Sequence, residues 1–367
     1  MNKPLAPLQP LSRLSTSLFE SPPLLRKLST ASRALAELKG IVASIPNESI
    51  LINTLGLQEA KDSSEIENIV TTHDELYRAN DAALMEEVST ASKEVRHYAA
   101  ALRVGFERVL ATGLLTCNDT ITIQAELEKN NAGFRKLPGT ALKNSRGETI
   151  YTPPQHPNDI VDLMRDLERF INDDAAFDAD PLIKMAIIHH QFESIHPFYD
   201  GNGRTGRMIN VLYLVQQKML HIPVLYLSRH IVRNKPAYYG HLQAVRESDD
   251  GAMEWQSWVS HMLDGVEATA LETIQTVRAI AHAMDDYKQR VRASHKFYSQ
   301  DLINNLFMHP YTKIEFIERD LHVSRLTATK YLDALTRSGF VRKHKVGRTN
   351  YYVNVALNTI LTQDNLL

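Results

Sequence analysis

Apolar positions recur at helical spacing along most of the chain, and strand-like alternation is confined to two short regions. Val88, Val95, Ala99, Leu102, Phe106 and Leu110 mark one stripe, which predicts a long helix from about Glu86 to Leu115. A shorter helix is predicted over Ile121 to Lys129, and two more over Pro157 to Asn172 and Pro181 to Ile195, each with proline near its start. In the last of these, Met185, Ile187, Ile188, Phe192 and Ile195 fall mostly on one face, and Pro197 stops it. Helical periodicity resumes at Met208, Ile209, Leu212 and Leu214, and another helix opens near Lys235. Glu254 to Trp258 and a long run from Gly265 to about Arg292 complete this region. Before it, residues 1 to about 28 are rich in Pro and Ser and read as an extended arm laid over the surface, or as partly disordered. A short helix over Ser32–Gly40 and another beginning at Pro46 follow.

The first strand-like region lies where Gly133–Gly139 and Thr149–Pro154 bracket Asn144-Ser-Arg-Gly147, a layout that predicts a β-hairpin. The second lies near the C-terminal end. Helices are predicted at Leu302–Met308, Thr312–Arg319 and Arg325–Arg337, with Ser324 as cap of the third. Two β-like segments follow, Phe340–Val346 and Asn350–Val355, joined by Gly347-Arg348. The chain is therefore expected to be mostly α-helical. It divides into residues 1–85 (arm and helices), 86–270 (helical core with the hairpin), 271–295 (a connecting helix) and 296–367 (three helices and a hairpin).

Composition changes this picture little. The 367 residues suffice for two or three cores, and 43% hydrophobic with 23% charged residues is ordinary for a globular protein. A net charge of −2 argues against a nucleic-acid coat, but Thr312 to Val355 carries about five more basic than acidic residues. The lone Cys117 cannot form an internal disulfide, and no stretch reaches the ~18 apolar residues of a membrane span. A cytoplasmic protein without membrane association is expected.

The densest chemistry lies in His196-Pro-Phe-Tyr-Asp-Gly-Asn-Gly-Arg-Thr-Gly-Arg207. His196 falls at or just past a helix end and can serve as a base. Gly201, Asn202 and Gly203 permit a tight turn and close approach of a ligand to the backbone. The turn opens a helix, and free N–H groups there suit an anion. Arg204 and Arg207, three apart, add two planar forks of donors, which match a polyphosphate. Asp200 can hold a divalent cation, with Mg²⁺ preferred because it takes one or two carboxylates plus phosphate oxygens. A P-loop is excluded because no Gly-Lys-Ser/Thr follows. His189, His190 and His196, with Glu193 three before His196, invite a transition-metal reading, but the second Glu-x-x-His that a di-iron site needs is missing, and His189 and His190 read as helix histidines.

This stretch resembles the signature of the Fic domain family, His-Pro-Phe-x-x-Gly-Asn-Gly-Arg-x-x-Arg, with every specified position filled. The resemblance implies an enzyme that transfers AMP from ATP to a Tyr, Thr or Ser hydroxyl of a target protein, and to itself. It implies His196 as general base, Asp200 as the Mg²⁺ ligand and Phe198 as the anchor of the loop. The Gly201–Gly203 turn would cradle the α-phosphate, and Arg204 and Arg207 would hold the outer phosphates. Asn202, Thr205 and Gly206 are counted with the nucleotide site.

Ser63-Ser-Glu-Ile-Glu67-Asn68 reads by itself as a helix cap, with Ser63 or Ser64 followed by an acidic residue three later. It also resembles the inhibitory motif Ser/Thr-x-x-x-Glu-Gly/Asn of self-inhibited Fic enzymes. That resemblance implies an inhibitory helix at about 63–70 whose Glu67 occupies the donors of Arg207, with Ser63 and Asn68 as the other motif positions. In the family the hairpin, here about 133–154, is a flap that holds the target segment by strand addition. Tyr238 and Tyr239 suit either a nucleotide base or the core by residue type, and the family's adenine-pocket tyrosine points to Tyr239.

The C-terminal region resembles a winged helix-turn-helix, with Arg325, Thr327, Thr329 and Lys330 on the exposed helix face. Arg342, Lys343, His344, Lys345 and Arg348 would form its wing. That module binds either DNA, through 312–355, or protein. Three readings remain open besides AMP transfer, namely AMP removal, transfer of another phosphate-linked group, and an ATP-sensing DNA-binding regulator. A homodimer, with inhibition by a neighbouring subunit's helix, is also open.

Overall fold

The computed structural model describes residues 8–71, 89–144, 146–248, 251–346 and 349–363. The predicted helix start at Glu86 and Val88, the turn residue Ser145 and the Gly347-Arg348 connection lie outside them. The mostly helical expectation holds. The chain forms two compact units, one of residues 1–36, 59–69 and 97–271, the other of 37–58, 70–96 and 272–367.

The first unit is built on a pair of packed helices, α6 (Pro181–Ile195) and α7 (Asn202–Gln216). Every residue of α6 from Leu182 to Ile195 is buried, which accounts for an apolar pattern that extends around most of the helix. Asp180 caps it by accepting from the Leu182 N–H at 2.8 Å, and Pro181 occupies its first position. On one side α6 packs on α5 (Pro157–Asn172); α4 (Cys117–Glu128) packs on α7. Trp258 of α10 (Ala252–Ser294) is fully buried and its indole N–H donates to the Ala186 carbonyl at 2.7 Å.

Several elements differ from their expected bounds for local reasons. α1 runs Pro22–Val42 and passes through Gly40. The preceding segment is not an extended arm on the surface but two 3₁₀ turns, Leu11–Arg13 and Thr16–Phe19, with Leu11 and Phe19 buried. The Leu11 N–H donates to Asp166 at 2.7 Å, and the Phe19 ring meets Phe177 and Trp255 edge-on. α2 (Glu48–Ile66) is one continuous helix, so Ser63 and Ser64 lie inside it and cap nothing. α3 covers Thr90–Thr112 and ends at left-handed Gly113; its stripe turns so that Val109 is buried and Leu110 is exposed. α4 begins earlier than expected because Thr116 and Asp119 form a reciprocal capping box. α8 (Leu227–Arg233), unpredicted, precedes α9 (Lys235–Glu247), and α10 is a single 43-residue helix through Ser294. None of the described helices is long and apolar enough to cross a membrane.

The hairpin pairs β1 (Leu142–Lys143) with β2 (Thr149–Tyr151), and Asn144 Oδ1 accepts from the N–H groups of Arg146 and Glu148. Its first strand is shorter than the Gly133–Gly139 stretch suggested and lies after it.

The second unit carries α11 (Gln300–Met308), α12 (Ile314–Leu321), α13 (Arg325–Arg337) and a three-stranded antiparallel sheet ordered β3-β5-β4. Tyr311–Thr312 is strand β3 paired with β5, not the start of a helix, and an aromatic followed by a β-branched residue suits a strand. β4 spans Val341–Val346 and β5 Thr349–Asn354. Val355 leaves the strand to begin α14 (Val355–Gln363), which Asn354 caps through the Leu357 N–H. Ser324 caps α13 through the Thr327 N–H at 3.3 Å, as expected.

Candidate active site

The site lies in the first unit, where α6 ends and α7 begins. His196 adopts a left-handed conformation (φ 49°, ψ 59°) as the C-cap of α6. Pro197 disfavours a right-handed helical residue before it and cannot extend the helix, and histidine tolerates the left-handed region better than most side chains. The terminal carbonyls of α6 are then exposed to a buried environment and need donors. Three side chains from distant parts of the sequence supply them. Arg246 donates to the Glu193 carbonyl at 2.8 Å, Tyr151 of β2 to that of Ser194 at 3.0 Å, and Arg135 to those of Ile195 and His196 at 3.3 and 2.7 Å. Two cations at a helix C-terminus also oppose its negative end.

The same arginines act on the base. Burial, then the nearby charges of Arg246 and Arg135, push the His196 pKa down to about 4. A neutral imidazole is the form that accepts a proton.

Past Pro197 the loop is braced from within. Asn202 accepts from the Phe198 N–H and donates to the Phe198 carbonyl, both at 2.8 Å, so its side chain holds the turn closed. Phe198 is fully buried against Phe134 and Phe192, the anchoring expected of it. Gly201 is the N-cap of α7 with φ 77°, a conformation that an L side chain strains to reach. Asp200 is exposed at the mouth of this turn, and its carboxylate accepts from the Gly201 N–H at 2.7 Å. Thr205 is fully buried, and Gly206 lies against Glu193 and Phe192 of α6, so both serve helix packing.

The two arginines have separate partners. Arg204 pairs with Glu128, the last residue of α4, at 2.8 Å. Arg207 is buried and bound to the end of α2 three times: Nε to Ser63 Oγ at 2.8 Å, and Nη2 to the Ser63 carbonyl and to Glu67 Oε1, both at 2.9 Å. The Glu67 carboxylate also lies where a Cβ on Gly203 would collide with it. Burial raises the Glu67 pKa, but the adjacent Arg207 outweighs that and holds it below the ordinary carboxylate value.

Asn68 explains how Glu67 is aimed. Asn68 is left-handed (φ 64°), its N–H bonds the Glu65 carbonyl and the Ile69 N–H bonds that of Ser64, each at 3.0 Å. This is a Schellman ending, in which the residue past the cap must be Gly or a tolerant residue such as Asn. Glu67 is therefore the cap residue, and Lys235 secures the same end by donating to the Ile66 carbonyl at 2.6 Å.

Of the tyrosine pair, Tyr238 is core: it is buried, hydrogen-bonded to His189 at 2.8 Å and packed on Trp258. Tyr239 is 40% exposed and within electrostatic range of Glu67 and Arg207. Arg135, Arg246, Tyr151, Glu128 and Lys235 were not singled out from the sequence. They act through contacts separated by more than forty residues, and no spacing rule reports such pairs.

Among the described residues no three His, Cys, Asp or Glu side chains are placed to hold a metal by themselves. One exposed carboxylate beside an anion-accepting turn nevertheless suits Mg²⁺, which keeps waters and phosphate oxygens as ligands. Asp200 fits that role.

A half-buried histidine at a helix end is thus followed by a glycine turn that opens a helix bearing two arginines. Family models match in three places: "Fic/DOC family N-terminal" at 25–107, "Fic/DOC family" at 114–214, and "Protein adenylyltransferase SoFic-like, C-terminal domain" at 283–357. The chain belongs to the Fic/DOC family. It is similar to "Protein adenylyltransferase Fic" of Aedes aegypti, 32% identical over 139 residues that cover 37% of this chain and 27% of the relative. It is similar also to a probable protein adenylyltransferase of Aquifex aeolicus, 33% identical over 104 residues covering 28% of each. The matched segments thus span about a quarter of the length of these curated relatives. In fold the chain is similar to a Fic family protein from Desulfovibrio desulfuricans, with TM-score 0.56 and 17% identity over 95% of this chain and 98% of that one.

Proposed function

We propose that this protein is a self-inhibited protein adenylyltransferase that moves AMP from ATP to a Tyr, Thr or Ser hydroxyl of a target protein. The observation that carries this reading is the Glu67 carboxylate seated on Arg207 beside Gly203. In the reaction a target hydroxyl oxygen attacks the α-phosphorus and the bond to the pyrophosphate oxygen breaks. The hydroxyl proton passes to His196, and pyrophosphate leaves. The N–H groups at the start of α7, with Arg204 and Arg207, stabilise phosphate charge. Asp200 would hold Mg²⁺, which when bound supplies further neutralisation of the phosphates. The hairpin would align the target by strand addition, and Tyr239 would flank the adenine.

Inhibition follows from competition. While Glu67 occupies Nη2 of Arg207, the outer phosphate meets a carboxylate where it needs a donor, and ATP is held in a pose unfit for attack. Intact-mass measurement after incubation with ATP and Mg²⁺ tests this. One AMP should be added to Glu67→Gly and none to the Glu67→Gly, His196→Ala double variant. No adduct on Glu67→Gly or on any offered protein, with ATP still bound, overturns transfer. Loss of AMP from a modified target would instead favour AMP removal, with Glu67 orienting the water.

For the C-terminal unit, a winged helix-turn-helix that binds duplex DNA is the reading the surface favours. Arg342, Lys343, His344 and Lys345 are all exposed along β4, and Arg325 and Lys330 are exposed on α13. Retardation of duplex DNA by the full chain, weakening steeply with salt, would support it. Salt-independent or absent retardation would favour protein docking.

A further inference from the structure

The Glu67–Arg207 latch has a counterpart one helical turn away. Glu128 pairs with Arg204 at 2.8 Å, with both side chains largely buried (15% and 5% exposed). Its Oε1 lies 2.5 Å from where a Cβ on Gly201 would stand, so this carboxylate covers the bare face of the N-cap glycine. The two halves of the cradle are therefore filled alike: Glu67 from α2 on Gly203 and Arg207, and Glu128 from α4 on Gly201 and Arg204.

We propose that Glu128 is a second acidic occupant of the phosphate cradle, which a polyphosphate must displace from Arg204 before it can bind fully. The inference rests on the nucleotide-site reading above. Its physical basis is the pair of helix ends that meet at Glu128. As the final residue of α4, Glu128 stands at the negative end of that helix, where a carboxylate is disfavoured. It is stabilised instead by Arg204 and by the positive N-terminal end of α7, the two features an incoming phosphate uses. Lys129, left-handed at φ 52°, ends α4 immediately after Glu128. In this arrangement Glu67 opposes the phosphate at Arg207, and Glu128 sets the affinity at Arg204.

The test compares the full-length parent, Glu67→Gly, Glu128→Gln and the double variant by calorimetric titration with ATP, tripolyphosphate and adenosine. Glu128→Gln keeps the side-chain volume and removes the charge. In the Glu67→Gly background it should tighten ATP and tripolyphosphate binding about fivefold and leave adenosine unchanged. Unchanged or weaker polyphosphate binding overturns the proposal and makes Glu128 a brace that orients Arg204 for the ligand. Glu128→Asp, too short to keep the 2.8 Å contact, should shift affinity in the same direction and decides the matter should the Gln variant fail to fold. Tripolyphosphate binding reports on Glu128 whether or not AMP is transferred. AMP addition by Glu67→Gly alone judges the adenylyltransferase reading, so the two fail separately.

Discussion

The Tyr151 hydroxyl donates to the Ser194 carbonyl at 3.0 Å, which ties the hairpin to the last turn of the helix that ends at His196. The same ring carries the Arg246 guanidinium over its face at 4.1 Å, and Arg246 in turn holds Ser194 Oγ and the Glu193 carbonyl. A strand of the hairpin and the helix that ends at His196 are thus joined by one side chain.

Tyr151→Phe should keep the ring stack and remove the bond. A net loss of about 1 kcal/mol in stability is expected, read from denaturant unfolding. Transfer by the Glu67→Gly enzyme should fall roughly tenfold, because a small misplacement of the base is costly in rate. Transfer equal to that of the Glu67→Gly parent would show that the hairpin does not position His196.

Asn68 should tolerate only residues at ease with a positive φ. Asn68→Gly should preserve the Glu67–Arg207 contact and low basal transfer. Asn68→Val should strain the end of α2 by roughly 1–2 kcal/mol, loosen Glu67 and raise basal transfer several-fold. Equal basal transfer in both variants would refute this account of the latch.

The pH response of the base follows from its surroundings. Burial, Arg246 and Arg135 hold the His196 pKa at about 4 against an ordinary 6.5, with Glu67 opposing them weakly. A folded-state pKa below the unfolded one means that the neutral imidazole is favoured in the native protein. Native stability is therefore lost as pH falls from 6.5 toward 4. Transfer by Glu67→Gly, which lacks that opposing carboxylate, should show no loss of rate attributable to His196 between pH 8 and 5. A midpoint near 6.5 would contradict the assigned environment.

Two buried carboxyls outside the proposed chemistry make the opposite prediction. Burial pushes both Glu193, against Gly206, and Glu59, bonded to Tyr98 and Ser228, up to about 7 from 4.5. An acid whose pKa is raised on folding binds its proton more tightly in the native state. Stability should then decline as pH rises from 4.5 through 7 and level off above. Glu193→Gln should flatten that decline, measured as melting temperature against pH. An unchanged slope would show that Glu193 is ionised in the folded protein.

The signature stretch was legible in the sequence because its chemistry is local. A proline that ends a helix, glycines that free a turn and two arginines one turn apart act within a dozen residues, where dihedral limits and helical period decide geometry. Glu67 and Asn68 were legible through the family resemblance, and the Schellman ending supplies the physical reason for an Asn at that position. Helices bounded by Pro157 and Pro181 were likewise readable, since a proline marks the first turn of each. Ser63, read locally as a helix cap, proved instead to lie inside α2, where it is buried and bonded to Arg207. What local rules could not report was partnership across the fold. Arg135, Tyr151 and Arg246 became donors to the α6 terminus, and Glu128 the partner of Arg204, only when packing brought them there. Sequence alone determined which groups could handle phosphate. Tertiary structure decided which carboxylates occupy them first, because burial makes each arginine take a counter-ion and only the fold selects which one is near.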